Sequence, residues 1–250
     1  MVLAARCPDV PPLDIGSLGL QPRILESSAV STVSPDSLFA AIDAGDPDLV
    51  ASALGTDPSL AAARDANRVS ATMHALYRGR PDLAETIAAV LPELDVFEAA
   101  ALGRVDRLAA LLLANPALAT ARSADGFTAL HFPSFFGIGD AAAASRVLIE
   151  AGADVNARSA NSFSVLPLHS AIAGNHDDVV AVLIDAGADV NATQPHGWTP
   201  LLGAAKNGSL ASVERLLAAG ADPAARNDDG ASALDLARSA GHDAIVARLG

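Results

Sequence analysis

The segment LIEAGADVNA at residues 148–157 returns almost unchanged as LIDAGADVNA at residues 183–192. A third, weaker copy, LLAAGADPAA, occupies residues 216–225, so the copies begin 35 and then 33 residues apart. A period of this length indicates stacked helical repeats, because each repeat buries its apolar face only against its neighbours. Such a stack has one continuous core and a long exposed groove, so the pattern favours a binding function.

The same period runs through most of the chain when the sequence is aligned on helix–turn–helix units. The aligned starting positions are Asp36, Ser70, Leu94, Thr128, Leu166, Thr199 and Ser232. Nine residues after each start comes a turn position, and these are Gly45, Gly79, Gly103, Gly137, Asn175, Gly208 and Gly241. Glycine and asparagine adopt the left-handed backbone conformation that ends many helices. The alignment therefore predicts seven repeat units.

The predicted repeat domain covers residues 34–250. Its units span about residues 34–66, 67–91, 92–122, 123–157, 158–192, 193–225 and 226–250. Residues 1–33 lack the period and contain four prolines, so we expect a flexible arm or an irregular N-terminal cap there. The second and third starts are only 24 residues apart. We expect the chain to pass between helices there without a finger, with Pro92 ending one helix and Asp95 capping the next.

Three segments carry a resemblance to a known family: GFTALH at residues 126–131, LPLHSA at 166–171 and GWTPLLGAA at 197–205. They resemble the TPLHxAA signature of ankyrin repeats, and the AGADVNA segments resemble the turn from an ankyrin outer helix into the next β-hairpin finger. The resemblance is strong over about residues 120–250 and weaker, but in phase, over about residues 36–119. It implies an all-α repeat solenoid, a single right-curving ankyrin-like stack of about seven helix-turn-helix repeats with short β-hairpin fingers.

The resemblance also implies roles for residues that recur. In such repeats Thr caps the inner helix, and Pro occupies its first turn, where a missing N–H costs nothing. The leucines expected at equivalent core positions are Leu130, Leu168, Leu201 and Leu234. His131 and His169 occupy the fourth position of the signature, where the imidazole bonds to the finger backbone and the Thr hydroxyl. Their implied role is structural.

The fourth and fifth units depart from the pattern. Pro133 stands where an alanine is expected inside the inner helix and should bend or shorten that helix. Extra residues follow in and after the stretch 137–140, and the finger SANSFSV at 159–165 is two residues longer than its neighbours. We therefore expect unit four to be the weakest part of the stack.

Composition and motifs argue against catalysis and against several classes of partner. The formal net charge is −13 and the 16 basic residues are scattered, so we expect no nucleic-acid or membrane partner. The single cysteine, Cys7, excludes an intrachain disulfide and a multi-cysteine zinc site. No metal-binding histidine spacing, GxSxG, P-loop or GxGxxG occurs. We expect no enzyme, no cofactor and no metal site.

Further expectations concern location and the remaining histidines. No apolar run approaches the roughly 20 residues that cross a bilayer, and the N-terminal MVLAARCPDVPPLD lacks the pattern of a signal peptide. We expect a cytoplasmic monomer, and the preference for Arg and Ala suggests a bacterial source.

His176 and His242 follow turn residues and are expected to be ordinary exposed polar groups.

The aromatic residues point to a binding surface, since five of the seven phenylalanines fall between residues 127 and 163. Phe127, Phe163 and Trp198 lie in three successive predicted fingers, at positions that usually face solvent or a partner in ankyrin domains. Aromatic anchors dominate interface energetics, so we interpret these three rings as a partner-binding surface. The expected polar rim consists of Asp125, Asn161, Gln194 and His196.

Phe135 and Phe136 end the bent inner helix beside the same groove, and they fit a core or a surface position equally well. Phe132 replaces a core leucine and is expected to be buried.

The predicted function is protein binding on the concave face of units four to six, without chemistry. The alternative is a small-molecule-binding regulator that uses an apolar pocket near Pro133, lined by these three phenylalanines.

Overall fold

The computed structural model describes residues 33–250, so all but the last residue of the predicted N-terminal arm lies outside the described part of the chain. The described residues form fourteen α-helices and no β-strand. The helices follow one another in pairs, which confirms the expected all-α repeat solenoid. None of the described helices is long and apolar enough to cross a membrane.

Each pair consists of a first helix, which corresponds to the predicted inner helix, and a second helix, which corresponds to the predicted outer helix. The first helices are α1 (Pro35–Ala44), α3 (Ala71–Tyr77), α5 (Val96–Ala101), α7 (His131–Phe136), α9 (Pro167–Gly174), α11 (Pro200–Asn207) and α13 (Ala233–Ala240). The second helices are α2 (Pro47–Thr56), α4 (Pro81–Ala88), α6 (Val105–Ala114), α8 (Ala141–Glu150), α10 (Asp177–Asp185), α12 (Leu210–Ala218) and α14 (Asp243–Leu249). Short 3₁₀ helices occupy Pro58–Ala62, Pro116–Thr120 and Pro195–Gly197.

The chain divides into two compact units between residues 92 and 93. In the described part of the first unit, α1 packs on α3 and α2 packs on α4. In the second unit the first helices α5, α7, α9, α11 and α13 pack on one another in chain order. The second helices α6, α8, α10, α12 and α14 do the same. The second compact unit therefore consists of two helical layers with the core between them.

The predicted turn residues all adopt the left-handed conformation. Their φ angles lie between 60° and 84°, and the residues are Gly45, Gly79, Gly103, Gly137, Asn175, Gly208 and Gly241. A side chain with a Cβ atom pays an energetic cost for this conformation, whereas glycine does not, and asparagine tolerates it better than most residues. The prediction of these helix ends from the sequence is confirmed.

Side-chain hydroxyl groups cap the N-termini of three of the first helices, as expected. Ser70, Thr199 and Ser232 each accept a hydrogen bond from the backbone N–H three residues further on. Leu166 precedes α9 and cannot cap it, and Thr128 caps no helix because α7 begins three residues later. An unsatisfied N–H at a helix start costs stability, so a capping side chain typically contributes about 1 kcal/mol.

Two predicted starting positions differ from the structure by one or two residues. Ser34, rather than Asp36, caps α1. Asp95 caps α5 as predicted, one residue after the aligned starting position Leu94, and the Glu98 carboxylate accepts from the Asp95 N–H to complete a capping box. A capping box satisfies two N–H groups of the first turn at once, which explains why each helix begins at the capping residue.

Pro133 lies in the first turn of α7 and not in the helix interior, where the sequence placed it. Helix α7 has 6 residues, as α5 does, whereas α9, α11 and α13 have 8 each. The segment before it is a tight turn, in which the His131 N–H donates to Thr128 and the Phe132 N–H to Ala129. Pro133 is the third residue of the helix, where a missing N–H breaks no helical bond.

Three of the four predicted core leucines are confirmed. Leu130, Leu168 and Leu201 are at most 1% exposed, and truncating one of them to Ala should cost about 2–5 kcal/mol. The prediction for Leu234 is wrong, since this side chain is only half-buried. Leu234 lies on α13, which among the described residues has a neighbouring first helix on one side only.

Loops between successive pairs form the structures predicted as fingers. We number them finger 1 (64–70), finger 2 (122–128), finger 3 (158–166), finger 4 (193–199) and finger 5 (226–232). Four of them are closed by a single antiparallel bridge, and the bridges are Arg64–Ser70, Arg122–Thr128, Gln194–Trp198 and Arg226–Ser232. Finger 3 is closed by a hydrogen bond from the Ser159 N–H to the Val165 carbonyl (2.8 Å). The expected hairpins are therefore reduced to single bridges.

The recurring AGADVNA segment joins each repeat to the next through its asparagine. The Asn156 side chain donates to the Gly187 carbonyl (3.2 Å) and accepts from the Asp189 N–H (2.8 Å). Asn191 makes the equivalent pair of bonds one repeat later. A side-chain amide provides both a donor and an acceptor, so one residue satisfies two backbone groups of its neighbour.

Candidate functional site

Five phenylalanine rings from α5, finger 2 and α7 are connected by four ring–ring contacts. The Phe132 ring is at the centre, 5.8 Å from Phe97, 6.1 Å from Phe127 and 6.4 Å from Phe136 between ring centroids. Phe135 completes the group, with its ring 5.2 Å from that of Phe136. These spacings are typical of favourable edge-to-face and stacked aromatic pairs. We refer to the five residues as the aromatic cluster.

The aromatic cluster is buried at its centre and partly exposed around it. Phe132 is 3% exposed, which confirms its predicted core position. The other four rings are half-buried, so Phe135 and Phe136 are neither fully core nor fully surface residues. Three rings pack around Phe132, and the apolar pocket of the alternative hypothesis stays a prediction.

The three finger aromatics do not form one exposed surface. Trp198 is 5% exposed, so the expectation that it faces solvent is wrong. The ring lies under α11, whose Lys206 ammonium group sits 4.7 Å from the ring centroid and covers its face. Phe127 and Phe163 are half-buried. Of the three, Phe127 alone belongs to the aromatic cluster.

Two residues of the predicted polar rim hold fingers 2 and 3 together. The Asn161 side chain donates to the Asp125 carbonyl (2.9 Å), across the two fingers. Its oxygen accepts from the Ser159 hydroxyl (2.8 Å) and from the Phe163 N–H (3.1 Å). The amide of Asn161 therefore shapes the lengthened finger and also orders the backbone that carries Phe163.

The other two rim residues, Gln194 and His196, lie in finger 4. His196 is exposed and has a φ of 65°, a conformation that costs a residue with a Cβ atom about 1–2 kcal/mol. Its carbonyl accepts a hydrogen bond from the Asp228 N–H (3.0 Å), which links finger 4 to finger 5. Gln194 is half-buried and closes the finger through its backbone.

His131 has the structural role that the resemblance implied. Its Nδ1 accepts from the Thr128 N–H (3.2 Å) and lies 2.8 Å from the Thr128 hydroxyl oxygen. The proton is therefore on Nε2, which donates to the Val165 carbonyl of finger 3 (3.1 Å). Burial lowers the pKa of His131 to about 4, and the Val165 carbonyl only partly opposes this decrease.

His169 occupies the same sequence position but lacks these bonds. The ring is 5% exposed, and neither nitrogen has a hydrogen-bond partner in the described chain. Leu166 stands where the other repeat has Thr128, so the Nδ1 atom of His169 has no hydroxyl group to bond to. Burial lowers the pKa of His169 to about 4, opposed in part by the nearby backbone of Trp198 and Ala192.

The expectation that His176 and His242 are ordinary exposed groups is wrong. Both are half-buried. The Nε2 of His176 bonds to the Phe135 carbonyl at the end of α7 (3.0 Å), and that of His242 bonds to the Lys206 carbonyl at the end of α11 (3.0 Å). Each ring therefore bonds to the end of the first helix of the preceding repeat. The sequence signal was their shared position, directly after the turn residue of each repeat.

The part of the chain that the structure describes contains no candidate metal site. Within residues 33–250, no group of three or more His, Cys, Asp or Glu side chains could hold a metal ion.

Two arginines that were not predicted as site residues, Arg122 and Arg158, form hydrogen bonds from one finger to the next. Sequence alignment could have found them, because arginine begins four of the five fingers.

Comparison with known proteins identifies what the chain is similar to. The family described as ankyrin repeats (3 copies) matches residues 96–194 and 168–249. Tyrosine-protein kinase Shark of Drosophila melanogaster is 36% identical over 126 residues. That stretch covers 50% of this chain and 13% of the kinase. The chain therefore spans only a small part of that relative.

Proposed function

The chain belongs to the ankyrin-repeat family, and we propose that it acts as a protein-binding module that performs no chemistry. Ankyrin repeats in general mediate protein–protein interaction and are non-catalytic. The similarity to a tyrosine kinase covers 13% of that protein and lies within the repeats, so it supports no kinase activity here.

The aromatic cluster is the observation that carries the proposal for where the partner binds. Phe127, Phe135 and Phe136 each expose part of a ring around the buried Phe132. Partly exposed aromatic rings that are fixed by their neighbours make effective anchors, because little side-chain entropy is lost when a partner covers them. We place the centre of the binding surface on α7 and finger 2.

The proposed mechanism is the packing of apolar partner side chains against these rings, on the finger and first-helix face of repeat units four to six. Phe163 and the rim residues Asp125, Asn161, Gln194 and His196 extend this surface along fingers 3 and 4. Trp198 is not included as a contact residue, since Lys206 and α11 cover its ring. It supports the position of finger 4 instead.

The proposal is tested with a double variant and a matched control. Phe127→Ala/Phe135→Ala removes two half-buried rings but leaves the buried Phe132 in place. Leu113→Ala removes an apolar side chain that is 86% exposed on α6, a second helix, and serves as the control. Circular dichroism first establishes that both variants are folded. Proteins captured from lysate of the source cells are then purified and their dissociation constants measured.

We expect the double variant to bind a captured partner at least about tenfold more weakly, which corresponds to about 1.4 kcal/mol. The Leu113→Ala control should bind as the wild type does. Equal affinity of the double variant and the wild type would show that the aromatic cluster has no role in binding.

A further inference from the structure

One imidazole ring lies between two carboxylates in the first compact unit. The Nε2 atom of His74 on α3 is 2.8 Å from an Asp43 oxygen near the end of α1. Its Nδ1 atom is 3.2 Å from an Asp65 oxygen in finger 1. An ionised carboxylate only accepts hydrogen bonds, so both contacts are hydrogen bonds only when each ring nitrogen carries a proton. The geometry therefore fits the imidazolium form of His74, which connects finger 1 to two helices.

The other charged groups on these three elements have partners of different kinds. Arg78 at the end of α3 pairs with Asp43, with 2.7 Å between its Nε atom and the carboxylate oxygen. The Arg64 guanidinium donates to the Arg68 carbonyl within finger 1 (3.1 Å). The Phe39 ring of α1 contacts the imidazole edge to face, with 5.1 Å between ring centroids. Asp43 therefore has a second cationic partner besides the imidazolium.

Two further elements, α4 and the 3₁₀ helix Pro58–Ala62, also pack against α3. The 3₁₀ helix contains no charged residue. The charged residues of α4 are Asp82 and Glu85, and Asp82 pairs with Arg80 (2.6 Å). The hydrogen bonds of the imidazole itself go to α1 and finger 1. Its protonation state therefore affects how these two elements are held.

Asp65 shapes finger 1 through its second carboxylate oxygen. That oxygen accepts from the Asn67 N–H (2.9 Å) and from the Val69 N–H (3.0 Å). The side chains of Asp65 and His74 are only 18% and 15% exposed, so water screens their interaction less than that of a surface pair. The carboxylate that organises the finger is thus also the one that bonds to the imidazole.

Finger 1 is the one finger of the five with a carboxylate at its second position. The other four fingers have neutral residues there, namely Ser123, Ser159, Gln194 and Asn227. In finger 5 the Asn227 oxygen accepts from the Ala231 N–H (2.8 Å), as the Asp65 oxygen accepts from the Val69 N–H. Finger 5 therefore provides a neutral equivalent of finger 1 in the same molecule.

We propose that His74 is a pH-sensitive switch that holds finger 1 against α3 while its imidazole is protonated. A neutral imidazole has a single N–H and can donate to only one of the two carboxylates. The ring keeps the shorter bond, from Nε2 to Asp43, so Nδ1 presents a lone pair to Asp65. A lone pair and a carboxylate oxygen repel each other, so Asp65 turns away and finger 1 opens more readily.

The buried histidines of the second compact unit act in the opposite direction. Burial lowers the pKa of His131 and of His169 to about 4, so the stability that depends on them increases as the pH rises. These two residues therefore do not account for a loss of protection in finger 1 at higher pH.

The test is amide hydrogen exchange of the full chain, measured by NMR at about pH 5.5 and about pH 8.0, on either side of the range in which histidine ordinarily titrates. The intrinsic exchange rate at each pH is divided by the measured rate to give a protection factor. The Val69 amide reports on finger 1, and the Ala231 amide is the internal control. Asp65→Asn gives finger 1 the neutral residue of finger 5, and His74→Gln removes the titrating ring.

We expect the protection factor of Val69 in the wild type to fall about tenfold between the lower and the higher pH, because a charge-assisted hydrogen bond is lost. The protection factor of Ala231 should not fall. In Asp65→Asn and in His74→Gln, the protection factors of Val69 at the two pH values should be nearly equal. Long-range proton–nitrogen spectra of the imidazole should show the proton of the neutral ring on Nε2.

An unchanged protection factor of Val69 in the wild type would overturn the switch. An equal fall in His74→Gln would show that another group causes the pH dependence, and a neutral ring with its proton on Nδ1 would overturn the release of Asp65. The test uses no partner, so its result is independent of whether the aromatic cluster binds a protein.

Discussion

At the scale of single residues, His131 and His169 show how one sequence position acquires two environments. Both are buried, and the pKa of each is lowered to about 4. His131 is satisfied by Thr128 and by the Val165 carbonyl, whereas His169 has Leu166 in place of the threonine and makes no hydrogen bond in the described chain. Burying a polar group without a partner destabilises the fold.

The two histidines should therefore respond differently to substitution by leucine. We expect His131→Leu to lower the free energy of unfolding at pH 7 by about 1–3 kcal/mol, because Thr128 and Val165 lose their partner. His169→Leu should change it by less than about 1 kcal/mol, because no hydrogen bond is lost. Urea unfolding of both variants and the wild type measures the difference, and equal losses would contradict the account of His169.

Both histidines should also make the protein sensitive to acid. Their folded-state pKa values lie below the ordinary value of 6.5, so the unfolded chain binds more protons than the folded chain between about pH 6.5 and pH 4. Stability is therefore complete above pH 6.5 and falls as the pH decreases to about 4, by up to about 3 kcal/mol for each histidine. His169→Leu should reduce the slope of this loss, and a slope equal to that of the wild type would contradict the assignment.

At the scale of elements, α7 is the helix that departs most from its neighbours. It has 6 residues, it lacks a side-chain cap, and a tight turn replaces its expected first turn. It is followed by the inserted loop, in which Gly139 lies so close to the preceding repeat that an added Cβ atom would be 2.6 Å from the Leu102 carbonyl. Short helices without caps gain little stability from their own hydrogen bonds.

We therefore predict that repeat unit four opens more readily than unit six. Hydrogen exchange followed by mass spectrometry should show faster exchange of backbone amides in α7 than in α11, which has 8 residues and a Thr199 cap. The comparison is internal to one molecule, so it needs no variant. Equal protection of the two helices would show that the packing of the aromatic cluster compensates for the missing turn.

At the scale of the whole molecule, the net charge of −13 should govern how fast a partner arrives. For a basic partner, we expect the association rate constant to fall about threefold or more as salt is raised from about 50 to 300 mM, because salt screens long-range attraction. The dissociation rate should change less. A salt-independent association rate, measured by stopped-flow fluorescence, would leave the aromatic cluster as the main determinant of binding.

The repeated features of the fold could be predicted from the sequence because they depend on local and periodic chemistry. The turn residues from Gly45 to Gly241 follow from the residue types at fixed intervals. The core leucines Leu130, Leu168 and Leu201 and the bonds of His131 were implied by the resemblance to ankyrin repeats. The helix-ending turns in particular require a left-handed backbone that few residues adopt, so their positions are visible in one dimension.

The candidate site was predicted less well because it depends on contacts between residues that are distant in the chain. Lys206 and α11 cover the Trp198 ring. The side chains of His176 and His242 bond to backbone carbonyl groups of the preceding repeat. A one-residue difference such as Leu166 in place of threonine is visible in the sequence. The energetic cost of leaving His169 without its hydroxyl partner is not.

By itself, the sequence of this protein determined a family, a helical repeat and the positions where its helices end, since each of these is encoded within a few residues. Only the tertiary structure decided which aromatic rings meet around Phe132, which carbonyl groups of the next finger the Arg122 and Arg158 guanidinium groups reach, and that the chain divides into two compact units between residues 92 and 93. These features arise from packing between repeats, where a side chain's partner lies about 35 residues away and the final arrangement depends on both neighbours at once.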